Sequence, residues 1–217
     1  VIHVSNMPDF LVFATLFPKL CGARILLDVH DPMAEVFMSK YRIKSKSLII
    51  RFIKWQEKIS LRYCHHVLTV SDVMKERLQR VAGYTPVSVV LNLPDEMIFG
   101  DYMKKPKPAR SGSDFVLLYT GTMSNRYGLQ IAIGALDRLR NEIPNIKLRL
   151  VGEGDDLPIL KQKVEFLGLG DYVDFHPPVH LTRIPEFIES SDVGFSPHLD
   201  DVFMRLYFST KVAEFVN

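Results

Sequence analysis

Four short stretches hold the residues best suited to chemistry. In "YTGTMSNRYG", Gly121 offers bare backbone and Arg126 a guanidinium fork, a combination suited to phosphate oxygens. In "VGEGDDLP", Gly152, Glu153 and Gly154 leave the backbone open again, just ahead of a helix with Pro158 in its first turn. In "STKVAEF", Lys211 can meet a phosphate while Glu214 can accept hydrogen bonds from sugar hydroxyls. The competing reading of that stretch is a simple intrahelical Lys–Glu pair. In "LLDVHDPMAE", Asp28, His30 and Asp31 follow an apolar run, and His30 beside a carboxylate can handle a proton or position a hydroxyl. No further ligand set stands at metal-binding spacing, so no metal and no resident cofactor are expected.

These stretches share a placement. Apolar runs "RILLDV", "HVLTV", "VSVVLN", "FVLLY", "IKLRLV" and "DVGFS" alternate with amphipathic segments, the rhythm of βα units around a parallel sheet. The fold class is α/β, and the candidate residues fall at the C-terminal ends of strands, where open α/β sheets bind ligands. Spacing predicts a helix over 127–141, with Leu129, Ala132, Ile133, Leu136 and Leu139 on one face. A second helix over 47–63 carries Leu48, Phe52, Trp55, Ile59 and Tyr63 on one stripe and Arg51, Lys54, Lys58 and Arg62 on another. Its apolar stripe is expected to pack into the core, with contact to an anionic membrane as a secondary reading.

The pattern lapses over 98–114, a Pro- and Lys/Arg-containing stretch read as a linker. This gives a first domain over 1–97 and a second over 115–217. The first shows about three strands and the second three plus a short "YVDF", so both sheets read as incomplete and both chain ends as cut.

Composition narrows the function classes. The chain has 217 residues and a net charge of +2, but residues 1–110 carry 17 Lys/Arg against 10 Asp/Glu, and the remainder 10 against 15. A basic half beside an acidic one suits two modules. Two cysteines without paired spacing suggest neither a disulfide framework nor a thiolate zinc site. No apolar run reaches the roughly 18 residues of a spanning helix, and the chain does not open on a signal peptide. A cytoplasmic location is expected, extending to peripheral attachment at the inner face of the membrane, with no nucleic-acid partner. The glycine turns match neither a dinucleotide fingerprint nor a P-loop.

Taken in order, "NMPDFLVFATLFPKLCGARILLDVHDPMAE", "VLTVSDVMKERL", "VLNLPD", "LLYTGTMSNRYGLQIAIGALDRL", "LRLVGEGDDLPILKQ", "IPEFIESSDVGFSP" and "STKVAEF" resemble the retaining GT-B glycosyltransferases of the group-one, or family-four, type. The resemblance implies two Rossmann-like domains, an N-terminal one for the acceptor and a C-terminal one for a nucleoside-diphosphate sugar. It implies transfer, of hexosyl type, to a hydroxyl of a glycan or lipid-linked acceptor, without metal. On this reading Arg126 and Lys211 meet the diphosphate, Glu214 holds the ribose, Gly121 and Gly152 to Gly154 lie beside the nucleotide, and His30 lies near the reacting sugar carbon. The sequence departs from the family at Thr122, where arginine is usual, at Tyr127, where many members have lysine, and at Pro177, where glycine is common. At or near Arg205 related sequences carry their first, sugar-contacting acid. Alternatives on the same architecture are a nucleotide-sugar epimerase or hydrolase, a non-catalytic GT-B-like binding fragment, and, more distantly, a two-lobed solute-binding protein.

Overall fold

The structure, a computed structural model, describes residues 1–104 and 114–216. It divides into two compact units, Val1–Asn92 with Asp200–Phe208, and Leu93–Leu199 with Ser209–Asn217.

In the first unit, β1 (Ile2–Ser5) leads through a 3-10 segment (Asp9–Thr15) and α1 (Leu16–Leu20) to β2 (Ile25–Val29). Then come α2 (Met33–Tyr41), α3 (Leu48–Tyr63), β3 (His66–Thr69), α4 (Asp72–Ala82) and β4 (Val87–Val89). The strands form a parallel sheet in the order β1-β2-β3-β4, one more strand than the sequence pattern suggests. Ile25, Leu27 and Val29 alternate into the core with Val67, Met74 and Leu78. Ser71 starts α4 by accepting a hydrogen bond from the Met74 amide (3.2 Å), leaving one fewer unpaired donor at the helix start.

Helix α3 turns a different face inward from the one expected. Ile50, Ile53, Gln56, Glu57, Ser60 and Leu61 are buried, whereas Leu48, Phe52 and Trp55 are exposed. The reason is electrostatic. Arg77 of α4 donates to Glu57 of α3 (2.7 Å) and to Glu35 of α2 (2.7 Å), tying three helices together at one guanidinium. Burial would pull the Arg77 guanidinium down, but its bonds to Glu57 and Glu35 hold it above its ordinary value. With Glu57 fixed inward, Leu48, Phe52 and Trp55, on the opposite side of the helix, face solvent.

The second unit opens on α5 (Glu96–Lys104), so the segment read as a linker begins inside a helix; its residues 105–113 lie outside the described residues. Asp95 accepts from the Met97 amide (2.9 Å) and Phe99 is buried, an anchor too short to register as periodicity. Then follow β5 (Phe115–Thr120), a 3-10 turn (Asn125–Tyr127), α6 (Leu129–Leu139), β6 (Ile146–Val151) and α7 (Leu157–Phe166). The unit ends with β7 (Val173–His176), α8 (Ile184–Glu189), β8 (Val193–Gly194) and α9 (Thr210–Val216). Its parallel sheet runs β7-β6-β5-β8, so the chain steps outward from β5 and then returns to pair on β5's free side. That reversal creates a topological switch point at the C-terminal ends of β5 and β8. As the spacing predicts, Leu129, Ile133 and Leu136 of α6 are buried, against Leu148 and Leu150 of β6.

Replacing Arg77 by Met leaves two carboxylates buried without their partner. We expect Arg77→Met to destabilise the first unit by about 3–5 kcal/mol, read as a lower urea midpoint, with the second unit's transition unmoved.

Candidate functional site

At the C-terminal edge of the second sheet, strands β5 and β6 continue as two loops in backbone contact. The Gly121 amide donates to Val151 O (2.8 Å), the Gly152 amide to His176 O (3.0 Å), and the Met123 amide to Glu153 O (2.7 Å). Gly152 has φ +143°, and a Cβ there would overlap the Gly121 carbonyl; a Cβ on Gly154 would likewise overlap the Met123 carbonyl. Only glycine fits at both positions. The loops line an open cleft of about 250 Å³ formed by Gly121, Thr122, Gly152 and Glu153 with Pro178 and Val179 opposite. Glu153 is exposed there.

Lys211 lies over Gly121, in space that any larger residue at 121 would claim. Its ammonium donates to Tyr119 Oη (3.4 Å) and sits 4.8 Å and 4.5 Å from the ring centres of Tyr119 and Tyr127. Two electron-rich ring faces thus stabilise a cation that has left much of its water behind. Burial holds the Lys211 ammonium below the ordinary lysine value, while Glu214 acts the other way. Burial likewise raises the Glu214 carboxyl, and Lys211 opposes that shift. Each thus favours the charged form of the other along α9, as an intrahelical pair does, against the cost of burial. The helix that carries both is seated by Phe215, whose ring covers Gly194 at the end of β8.

The structure therefore brings Gly121, Gly152, Glu153, Gly154 and Lys211 to one sheet edge at the switch point, with Glu214 one turn along α9. Arg126 lies in the 3-10 turn between β5 and α6, where its carbonyl accepts from the Leu199 amide (2.9 Å). Sequence reasoning missed the packing partners of Lys211: Tyr119, Tyr127, and His198 edge-on to Tyr127 at 6.1 Å. Burial and Lys211 both lower the His198 imidazole. Tyr127, noted only as a departure from the family pattern, is the one signal that could have found them.

The first unit holds its own cluster. Asp28 Oδ2 lies 3.2 Å from His30 Nε2 and 3.0 Å from His3 Nε2, so one carboxylate holds two imidazoles. The His30 amide donates to Asn6 Oδ1 (3.0 Å), and Asn92 Nδ2 lies 3.4 Å from His30 Nδ1. Asn6 also donates to Asp9 Oδ1 (3.1 Å) and to Asp31 O (2.5 Å). Asn6, Asp9 and Asn92 stand in stretches that carry the resemblance, but they and His3 were not singled out, because their meeting with His30 and Asp28 is made only by the fold. Asp9 is 2% exposed and its Oδ2 has no partner; burial pushes its carboxyl up to about 6. Arg205 lies in the segment assigned to this unit and is paired with Asp200 at 2.6 Å and 2.9 Å. Among the described residues, no group of three or more His, Cys, Asp or Glu is arranged to hold a metal ion.

Two outcomes test this geometry. Gly152→Ala forces a Cβ against the Gly121 carbonyl and destabilises the second unit by about 2 kcal/mol or more, read as a lower urea midpoint. Asp9 has a folded value above its unfolded one, so its contribution to stability is full below pH 4 and lost as pH rises through about 6. Asp9→Asn does not ionise, so its stability relative to the parent improves between pH 4.5 and 7.5, by about 2 kcal/mol, measured by urea unfolding at both pH values.

Comparison with known proteins places the site in a family. A family model described as Glycosyltransferase Family 4 matches residues 1–95, and one described as Glycosyl transferases group 1 matches residues 103–203. The fold is similar to that of sucrose-phosphate synthase from Thermosynechococcus elongatus, with a TM-score of 0.65 at 18% identity over 93% of this chain and 51% of that one. It is also similar to Anabaena HepE in complex with UDP, with a TM-score of 0.64 at 18% identity over 88% and 52%. For the pneumococcal O-GlcNAc transferase GtfA in complex with UDP and GlcNAc, the TM-score is 0.60 at 12% identity over 94% and 42%. No curated protein matches the sequence. The chain spans a third to a half of the length of the solved structures it matches. At these identities the likeness to the solved structures is one of fold. The two family models together account for both parallel-sheet units, and the chain belongs to the group 1 glycosyltransferases of GT-B architecture.

Proposed function

We propose that the chain contributes to transfer of a hexosyl group from a nucleoside-diphosphate sugar to an acceptor hydroxyl, with retention of configuration and without a metal or other cofactor. The observation that carries this reading is Lys211, a largely buried ammonium held by two tyrosines over the glycine loops at the switch point. Negative charge develops on the diphosphate as the sugar–oxygen bond breaks, and a fixed cation beside open backbone stabilises it without reorganising at that moment. Arg126 supplies a second cation to the same diphosphate, Gly121 and Gly152 to Gly154 let it approach the backbone, and Glu153 lies beside it. Glu214 accepts from the ribose hydroxyls. In the first unit, Asp28 orients His30, which positions the acceptor hydroxyl.

The solved structures of similar fold that carry UDP favour uridine as the base. The proposed acceptor is a glycan or lipid-linked saccharide, and the proposed location is the cytoplasm, with peripheral contact at the inner face of a membrane through 47–63. No helix among the described residues is long and apolar enough to cross a membrane. The pairing of Arg205 with Asp200 favours, as a second reading, a chain that binds nucleotide without turning it over.

Calorimetry with UDP, GDP and ADP, with and without magnesium, tests the donor site. We expect one nucleotide to bind equally well in both conditions, with Lys211→Ala and Glu214→Ala each weakening it about ten- to a hundredfold. Binding that requires magnesium, or that ignores both substitutions, overturns the assignment. Binding without sugar transfer to any acceptor selects the second reading.

A further inference from the structure

The first unit presents a surface that its own packing does not use. On α3, Leu48, Phe52 and Trp55 are 79%, 61% and 55% exposed, and the Phe52 and Trp55 rings lie 5.8 Å apart. Ile49 and, at the end of α2, Tyr41 extend the patch. Around it Lys40, Arg42, Lys44, Lys46, Arg51, Lys54 and Lys58 all face solvent. Between residues 36 and 56 there is no Asp or Glu. The acids that bound this stretch, Glu35 and Glu57, are buried and both held by Arg77, so they do not offset the surface charge. The opposite face of α3 is fixed by Ile50, Ile53, Glu57 and Leu61. The exposed stripe is therefore presented by a helix already anchored on its other side.

We infer that this face, α3 with the basic α2–α3 connection, docks in the plane of an anionic lipid bilayer. The chemistry selects that occupant. Phe52, Trp55 and Leu48 are a wedge suited to the boundary of headgroups and acyl chains, and the flanking Lys and Arg residues suit lipid phosphates. A second copy of the same face would bring two sets of like charges together. A nucleic acid would match the charge but give Leu48 and Ile49 nothing to bury against. At 16 residues α3 is too short to span, which fits a helix lying along the surface. The inference rests on the peripheral contact proposed for 47–63 and not on the sugar-transfer reading, and it moves that contact from the basic stripe alone to an aromatic stripe framed by charge.

Trp55 is the single tryptophan of the chain, so its fluorescence reports this surface and nothing else. The chain is titrated with vesicles of phosphatidylcholine alone and of phosphatidylcholine with about 30% phosphatidylglycerol, a fraction chosen for its anionic surface. We expect a blue shift and quenching by brominated acyl chains on the anionic vesicles only, reversed by salt near 0.5 M, where charge is strongly screened. Arg51→Glu with Lys54→Glu and Lys58→Glu lowers the partition coefficient at least about tenfold. Leu48→Ser with Phe52→Ser abolishes the quenching while circular dichroism stays unchanged. UDP binding, measured alongside, is unaffected by either set of substitutions, which separates this inference from the donor-site reading. Trp55 emission that ignores anionic vesicles overturns the inference. So does a blue shift that depends on protein concentration without lipid, which would assign the face to a second copy or another segment of chain.

Discussion

Close approach of two backbones at the C-terminal edge of the β5–β6 pair governs the second unit. The Gly121 carbonyl occupies the space a Cβ on Gly152 would need, and the Met123 carbonyl does the same to Gly154. Because Gly121, Gly152 and Gly154 bring no side chain to the contact, backbone meets backbone there, and amides and carbonyls of the two loops pair directly. A contact of that kind has few torsions left to reorganise. Everything else in the unit positions groups around it: β8 returns beside β5, Phe215 seats α9 on Gly194, and α9 brings Lys211 over Gly121.

The same economy of space explains the polar groups. Lys211 has given up much of its water, and two tyrosine rings with one hydroxyl are a weaker substitute. Its lowered value is the signature of that imbalance. In the first unit Asp28 is shared between His3 and His30, while Asp9 has one oxygen with no partner. The two units thus concentrate their imperfectly satisfied polar groups near strand C-terminal ends, where chemistry in this architecture takes place.

Local patterns conveyed the architecture well. Alternation in "RILLDV" and "IKLRLV", the spacing of Leu129, Ile133 and Leu136, and Pro158 in the first turn of α7 all act within one element, and the structure keeps them. The inward face of α3 was not legible, because Leu48-Phe52-Trp55 and Ile50-Ile53-Leu61 are both respectable apolar stripes on one helix. The decision lies with Glu57, and Glu57 is buried only because Arg77 stands 20 residues further along. The site divides in the same way. Glycine turns were visible as local signals, whereas the tyrosine setting of Lys211 and the neighbours of His30 are assembled from segments up to 92 residues apart.

Residues 200–208 leave the second unit's sequence and join the first, with Leu206 against its core and Asp201 accepting from Ser39 at 2.7 Å. On a ribosome this places a delay in the order of assembly. The first 92 residues emerge with one piece of their packing still unsynthesised, and it arrives only after most of the second unit has passed the exit. The apolar notch that Leu206 fills is therefore open during most of translation, a long-range closure that local stability must outlast.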